Sequence, residues 1–192
     1  MFKATETRLP GVVLLEPSAF RDARGFFLES HNQRAFAALG IDCRFVQDNH
    51  SKSVKGTIRG LHYQLPNPQA KLCRVVQGTV WDVAVDIRVG SPNFGKWTGV
   101  TLSDKNQLEV FIPAGFAHGF AVISETADFL YKCSEYYARE DDRGIAWDDP
   151  SLAIDWQVGA PVLSEKDLRY PTLSRVSKDL LPGFQAGCGG SL

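Results

Sequence analysis

The chain has 192 residues, 44% hydrophobic and 22% charged, with 21 Lys plus Arg against 22 Asp plus Glu and a formal charge of −1. These values exclude a disordered or collagen-like chain, and a domain of this length buries about 70% of its unfolded surface, enough for a core without a disulfide or metal staple. The lack of a basic excess argues against a nucleic-acid partner, and no apolar run is long enough to cross a bilayer as a helix.

From the N-terminus, residues 1–6 contain no apolar signal core. The four cysteines, Cys43, Cys73, Cys133 and Cys188, include no Cys-x-x-Cys pair. A cytoplasmic protein with free thiols is expected. An apolar run at 12–15 ends at Pro17, and Phe26 to Glu29 follow the turn-like Asp22-Ala23-Arg24-Gly25. Asn32 is placed to cap a helix over 33–39, with Gly40 as its C′ residue. Phe45, Val46 and Gln47 lead into a polar stretch. Residues 71–86 read as two strands broken at Gln77-Gly78-Thr79, and Val83, Val85 and Ile87 alternate with Asp82, Ala84 and Asp86. Further short runs at 97–102, 108–112, 118–123 and 129–133 are separated by turn residues. This spacing predicts an all-β sandwich or barrel with short peripheral helices. After about residue 140 the chain reads as loops with short helical turns. One domain over 1–184 and a mobile tail at 185–192 are expected.

His62 lies in Ile58-Arg59-Gly60-Leu61-His62-Tyr63-Gln64, and His118 follows Pro113-Ala114-Gly115-Phe116-Ala117. The Pro-x-Gly-x-x-His spacing resembles the second motif of the cupins, small jelly-roll barrels. In metal-dependent cupins the first motif supplies His-x-His and a nearby Glu. Here those positions hold His62, Gln64 and Lys71. A lysine ammonium and a divalent cation repel strongly at contact distance, so a barrel with no metal and no other cofactor is expected. Without a metal, an imidazole can act as a base near neutral pH. An ammonium can stabilise an enolate oxygen, and a phenol can return a proton from the opposite face. His62, Lys71 and Tyr131 are the candidates, and the set suits epimerisation beside a carbonyl. A strand aromatic in the core is the plainer reading of Tyr131.

Six motifs in order then resemble the dTDP-4-dehydrorhamnose 3,5-epimerase family of metal-free cupins. They are Asp22 to Glu29, Gln47 to Ser51, Ile58 to Gln64, Lys71 to Gly78, Pro113 to Phe120, and Leu163-Ser164-Glu165-Lys166-Asp167. The resemblance implies a cupin-type jelly-roll barrel with His62 as base, Asp167 paired to it, Lys71 on the substrate oxygen and Tyr131 as acid. It implies that Arg24, Glu29, Gln47, Asn49, Arg59, His118, Asp142 and Lys166 hold a dTDP-4-keto-6-deoxy sugar. Phe27 lies either against the thymine ring or in strand core. It further implies a homodimer, for which the run at 12–15 is a candidate to pair across subunits. The chain departs from the family where Tyr137-Ala138-Arg139-Glu140-Asp141-Asp142 stands in place of Tyr-x-Pro-x-x-Glu. Asp142 reaches one methylene less than glutamate, and without the proline a less rigid loop is expected. A single-centre epimerase, a non-catalytic nucleotide-sugar-binding cupin and a metal-dependent oxygenase are the alternatives.

Overall fold

The structure is a computed structural model that describes residues 1–184; the tail expected at 185–192 lies outside the described residues. The strands in chain order are β1 (Phe2–Glu6), β2 (Val13–Pro17), β3 (Phe20–Asp22), β4 (Gly25–Phe27), β5 (Gln47–Val54), β6 (Ile58–Gln64) and β7 (Lys71–Gln77). They continue as β8 (Thr79–Asp86), β9 (Trp97–Ser103), β10 (Glu109–Ile112), β11 (Phe116–Val122), β12 (Thr126–Cys133) and β13 (Asp142–Gly144). One helix, α1 (Gln33–Ala38), stands between β4 and β5, and three single turns of 3₁₀ helix follow β13. The strands form a six-stranded sheet in the order β1-β2-β10-β7-β12-β5, a five-stranded sheet β13-β6-β11-β8-β9, and the separate hairpin β3-β4. Every pairing between these strands is antiparallel. The chain crosses repeatedly between the sheets, as a jelly roll does.

Period-two alternation places the core. On β8, Val80 and Ala84 join Cys73, Val75, Val110, Phe120 and Phe129 in a cluster drawn from both sheets, the barrel interior. Phe120 and Phe129 stack there with ring centroids 4.1 Å apart. Val83 and Val85 point the other way, into a second cluster with Ile145, Leu152, Trp156, Leu173 and Leu181. The loop-like C-terminal segment therefore covers the outer face of the five-stranded sheet. Each large side chain buried there contributes about 1.5–3 kcal/mol. Helix α1 seals the outer face of the six-stranded sheet through Phe36, packed edge-on against Phe2 at 4.8 Å. Its expected cap is present: Asn32 accepts the N–H of Ala35 at 3.1 Å.

Three strand features depart from the sequence reading. The run at 12–15 does not offer a free edge, because β2 is paired with β1 on one side and β10 on the other. Among the described residues the edge at that end is β1, a strand that the polar residues of 1–6 did not reveal. The polar stretch after Gln47 is the eight-residue strand β5. Its partner β12 contributes inward residues Tyr131 and Cys133 opposite Asn49 and Gln47, so the inward face of β5 is polar where it meets the cavity described below.

Candidate active site

The site begins with an irregularity in β6. Between the pairs His118↔His62 and Phe120↔Arg59, β11 advances two residues while β6 advances three. The extra residue is a β-bulge, which re-aims the side chains beside it. His62 consequently turns toward the cavity, while Arg59, three residues earlier, stays exposed. Gly60 sits in the bulge at φ +136°, where a Cβ would lie 2.5 Å from the Cα of Gly119. Only glycine fits there.

His62 Nε2 lies 2.6 Å from Asp167 Oδ1, and the imidazole remains partly exposed while the carboxylate is nearly buried. Asp167 opens the 3₁₀ turn Asp167–Arg169. Its second oxygen accepts the Ser164 hydroxyl at 2.8 Å, and its own N–H donates to Ser164 Oγ at 3.1 Å. Burial pushes the Asp167 carboxyl up, but the His62 bond and charge, with the Ser164 bond, outweigh it and hold the pKa below the usual carboxylate value. The carboxylate is thereby kept ionised and fixes the ring through one nitrogen.

The other wall comes from the six-stranded sheet. Cys133 is opposite Lys71 across the β12–β7 pair, and Tyr131 is opposite Cys73. The Lys71 ammonium is 6.0 Å from the centre of the Tyr131 ring. Burial, reinforced by the neighbouring Cys133 and Cys73 and opposed by Arg59, pushes the Tyr131 phenol up to about 12. It keeps its proton at neutral pH and can only donate one. His62, Lys71, Tyr131, Gln47, Asn49, Asp142 and Lys166 line one cavity of about 340 Å³, together with Tyr63, Gln64, Gln69, Cys133 and Tyr137. At its mouth Tyr137 Oη donates to Asp142 Oδ2 at 2.9 Å, and the Lys166 ammonium bonds the same oxygen. Burial lowers the Lys166 pKa, but the bonds to Asp142 and Tyr170 prevail and raise it.

The remaining expected residues lie elsewhere. Arg59 donates to Ser53 Oγ at 3.1 Å and acts on Tyr131 through its charge. His118 is buried and does not form part of the cavity lining. Its Nε2 is 2.8 Å from Asp82 Oδ2 and 3.9 Å from Cys73 Sγ. These three form the one cluster of metal-ligand type among the described residues, with donor atoms within 4.8 Å of one another. Lys71 bears on it with a charge that lowers the His118 pKa after burial has done so, which does not suit a cation. Arg24, Phe27 and Glu29 are not in the cavity wall of the single chain. Arg24 is spent on Asp22 and Glu29 accepts from Asn32. Phe27 is 67% exposed, so strand core is not its place. Sequence reading gave no site role to Tyr137, Gln64 or Gln69. A tyrosine in a loop and a glutamine two residues after a histidine carry no signal of their own until the fold brings them to one mouth.

An imidazole held by a carboxylate faces, across the cavity, a phenol and an ammonium from the six-stranded sheet. A carbon acid between them can lose a proton on one side and regain it on the other. The family model described as dTDP-4-dehydrorhamnose 3,5-epimerase matches residues 6–175. A dTDP-4-dehydrorhamnose 3,5-epimerase of Pseudomonas aeruginosa is 57% identical over 167 residues, which cover 86% of this chain and 92% of the relative. The crystal structure of the dTDP-6-deoxy-D-glucose-3,5-epimerase of Legionella pneumophila in complex with dTDP-4-keto-L-rhamnose superimposes with a TM-score of 0.95 at 48% identity, covering 97% of this chain and all of that one. A 3'-monoepimerase of Streptomyces bikiniensis in complex with dTDP-quinovose is more distant, at 34% identity and a TM-score of 0.87 over 92% of this chain and 91% of its own.

Proposed function

This chain belongs to the dTDP-4-dehydrorhamnose 3,5-epimerase family, and we propose that it inverts C3 and C5 of dTDP-4-dehydro-6-deoxy-D-glucose to give dTDP-4-dehydro-L-rhamnose through the residues of this cavity. The C4 ketone acidifies the hydrogens on both neighbouring carbons. His62, oriented by Asp167, takes one of them, and the electron pair moves onto the ketone oxygen as an enolate. Lys71 stabilises that oxygen. Tyr131 delivers a proton to the opposite face of C5, and the ketone re-forms. His62 then passes its proton to solvent and Tyr131 regains one from solvent, and at C3 the cycle repeats with water as donor. No electrons leave the substrate, so the sequence of steps needs no redox partner. The observation that carries this reading is the placement of the His62–Asp167 pair on one wall and of Lys71 with Tyr131 on the other wall of a single cavity.

The test is proton NMR of the keto-sugar nucleotide with the protein in deuterated water, coupled to a reductase that captures product. Deuterium at both C3 and C5 is expected. Label at one carbon alone would make the chain a single-centre epimerase, and no label would make it a binding protein. Full activity in His62→Ala would remove the imidazole from the mechanism.

The chain is proposed to act as a homodimer in the cytoplasm. The edge of β1, unpaired among the described residues, and the exposed Phe20, Phe26 and Phe27 of the β3-β4 hairpin support a second copy as a natural cover. Light scattering should give twice the 21.2 kDa chain mass; a monomer would refute the assembly. Among the described residues no helix is long and apolar enough to cross a membrane.

A further inference from the structure

Two glutamines, one from each sheet, grip consecutive backbone N–H groups of the segment that forms the cavity mouth. Gln47 on β5 accepts the N–H of Tyr137 on Oε1 at 2.9 Å. Gln64 on β6 accepts the next N–H, that of Ala138, on Oε1 at 3.0 Å. The Gln64 amide nitrogen then donates to the carbonyls of Asn67 at 2.7 Å and Tyr136 at 3.1 Å. Gln64 is 4% exposed. Its oxygen and both of its N–H groups are thus engaged, and reversing the amide would set like against like at all three contacts. The side chain therefore has one orientation, and the segment it holds has one path. That path carries Tyr137, whose phenol donates to Asp142, the carboxylate that also binds Lys166.

We propose that Gln64 is a positioning residue for substrate capture, acting through residues 136–138 to hold Tyr137 and Asp142 at the mouth of the cavity. The inference rests on the cavity being the substrate site. Gln64 shares strand β6 with His62, so the strand that aims the base also sets the rim that receives the nucleotide sugar. The amide's hydrogen bonds all go to loop backbone and none to His62, Lys71 or Tyr131, so its removal weakens capture and leaves the chemical step in place.

The test uses Gln64→Met, which keeps the length and loses the hydrogen bonds, and Gln64→Asn, which keeps the amide and falls short. Amide hydrogen exchange of the substrate-free protein is read at Tyr137 and Ala138, beside kcat and KM. With two or three hydrogen bonds to the loop lost, exchange at Ala138 should accelerate by about tenfold or more, and KM should rise by about tenfold with kcat within about threefold of wild type. Unchanged exchange in a folded variant would overturn the proposal. So would a fall in kcat at constant KM, which would place Gln64 on the base instead. If Gln64→Met does not fold, the shorter Gln64→Asn carries both readouts. Amide exchange is read without substrate, so it stands apart from the solvent-labelling test of the epimerase reading.

Discussion

The chemistry at the residue scale depends on which groups hold their protons. Tyr131, pushed up to about 12 by burial, stays protonated across the working range. Any alkaline fall in kcat below about pH 10 must then come from another group, and Tyr131→Phe should leave such a limb where it is. The same variant should abolish deuterium delivery to C5 while exchange at C3 persists; equal loss at both carbons would take the acid role at C5 away from it. Asp167 works in the opposite sense. Its folded pKa is depressed, so its contribution to stability is present above the unfolded value near ~3.9 and is lost as pH falls through the lower folded one. Asp167→Asn leaves His62 without an ionised partner. Its kcat should drop about 10²–10⁴-fold, the range of a general base made ineffective, with KM little changed. A wild-type rate would show that the 2.6 Å pair is only structural.

Two strands make the element scale testable. β6 presents His62 beside a bulge at which Gly60 packs backbone to backbone on Gly119. Gly60→Ala puts a methyl where 2.5 Å is available, at a φ that side chains resist. It should lower stability by about 1–3 kcal/mol and cut activity beyond what the stability loss explains; a soluble variant with normal kcat would show that β6 has slack. β10 carries the other case. Glu109 is fully buried, its oxygens lack hydrogen bonds, and Arg74 is 3.5 Å away. Burial, against the pull of Arg74 and Lys132, raises its pKa to about 8. The folded state binds the extra proton, so this group's contribution favours folding at low pH, declines from about pH 4.5 to about pH 8 and then levels. Thermal unfolding of Glu109→Gln should lack that decline, and identical pH profiles would contradict it. These strands also show how far sequence reading reaches. β8 was legible because Val83 and Val85 alternate with smaller or acidic residues over a two-sided core. β5 was not, because its inward Gln47 and Asn49 are polar for the sake of the cavity and its outward Asp48, His50 and Lys52 are polar for water. A strand facing a polar site on one side and solvent on the other has no hydrophobic period to detect. The same holds for the mouth: the absent proline at Arg139 suggested a loose loop, and no local signal showed that its N–H groups would donate to Gln47 and Gln64, which are distant in sequence.

At the scale of the whole molecule, the dimer decides which cavity Arg24, Phe27 and Glu29 serve. The resemblance assigns them to the nucleotide sugar, yet in one chain they sit on or just beyond an exposed hairpin outside the cavity wall. Both statements hold if a symmetric dimer brings the hairpin of one copy to the cavity of the other. A two-fold interface does this reciprocally, giving two equivalent composite sites. The arrangement predicts complementation. In a heterodimer of His62→Ala with Arg24→Ala, one site combines an intact His62 with an intact Arg24, and the other lacks both. Random exchange of equal amounts makes half the dimers mixed, so about a quarter of all sites should regain wild-type turnover. Each variant alone should stay far below that level. If Arg24 instead serves the cavity of its own chain, every mixed dimer keeps one site without a base and one without the arginine, and activity after mixing is merely the average of the two parents. Refolding the variants together and separately, then comparing initial rates at saturating substrate, distinguishes the two geometries without any further structure.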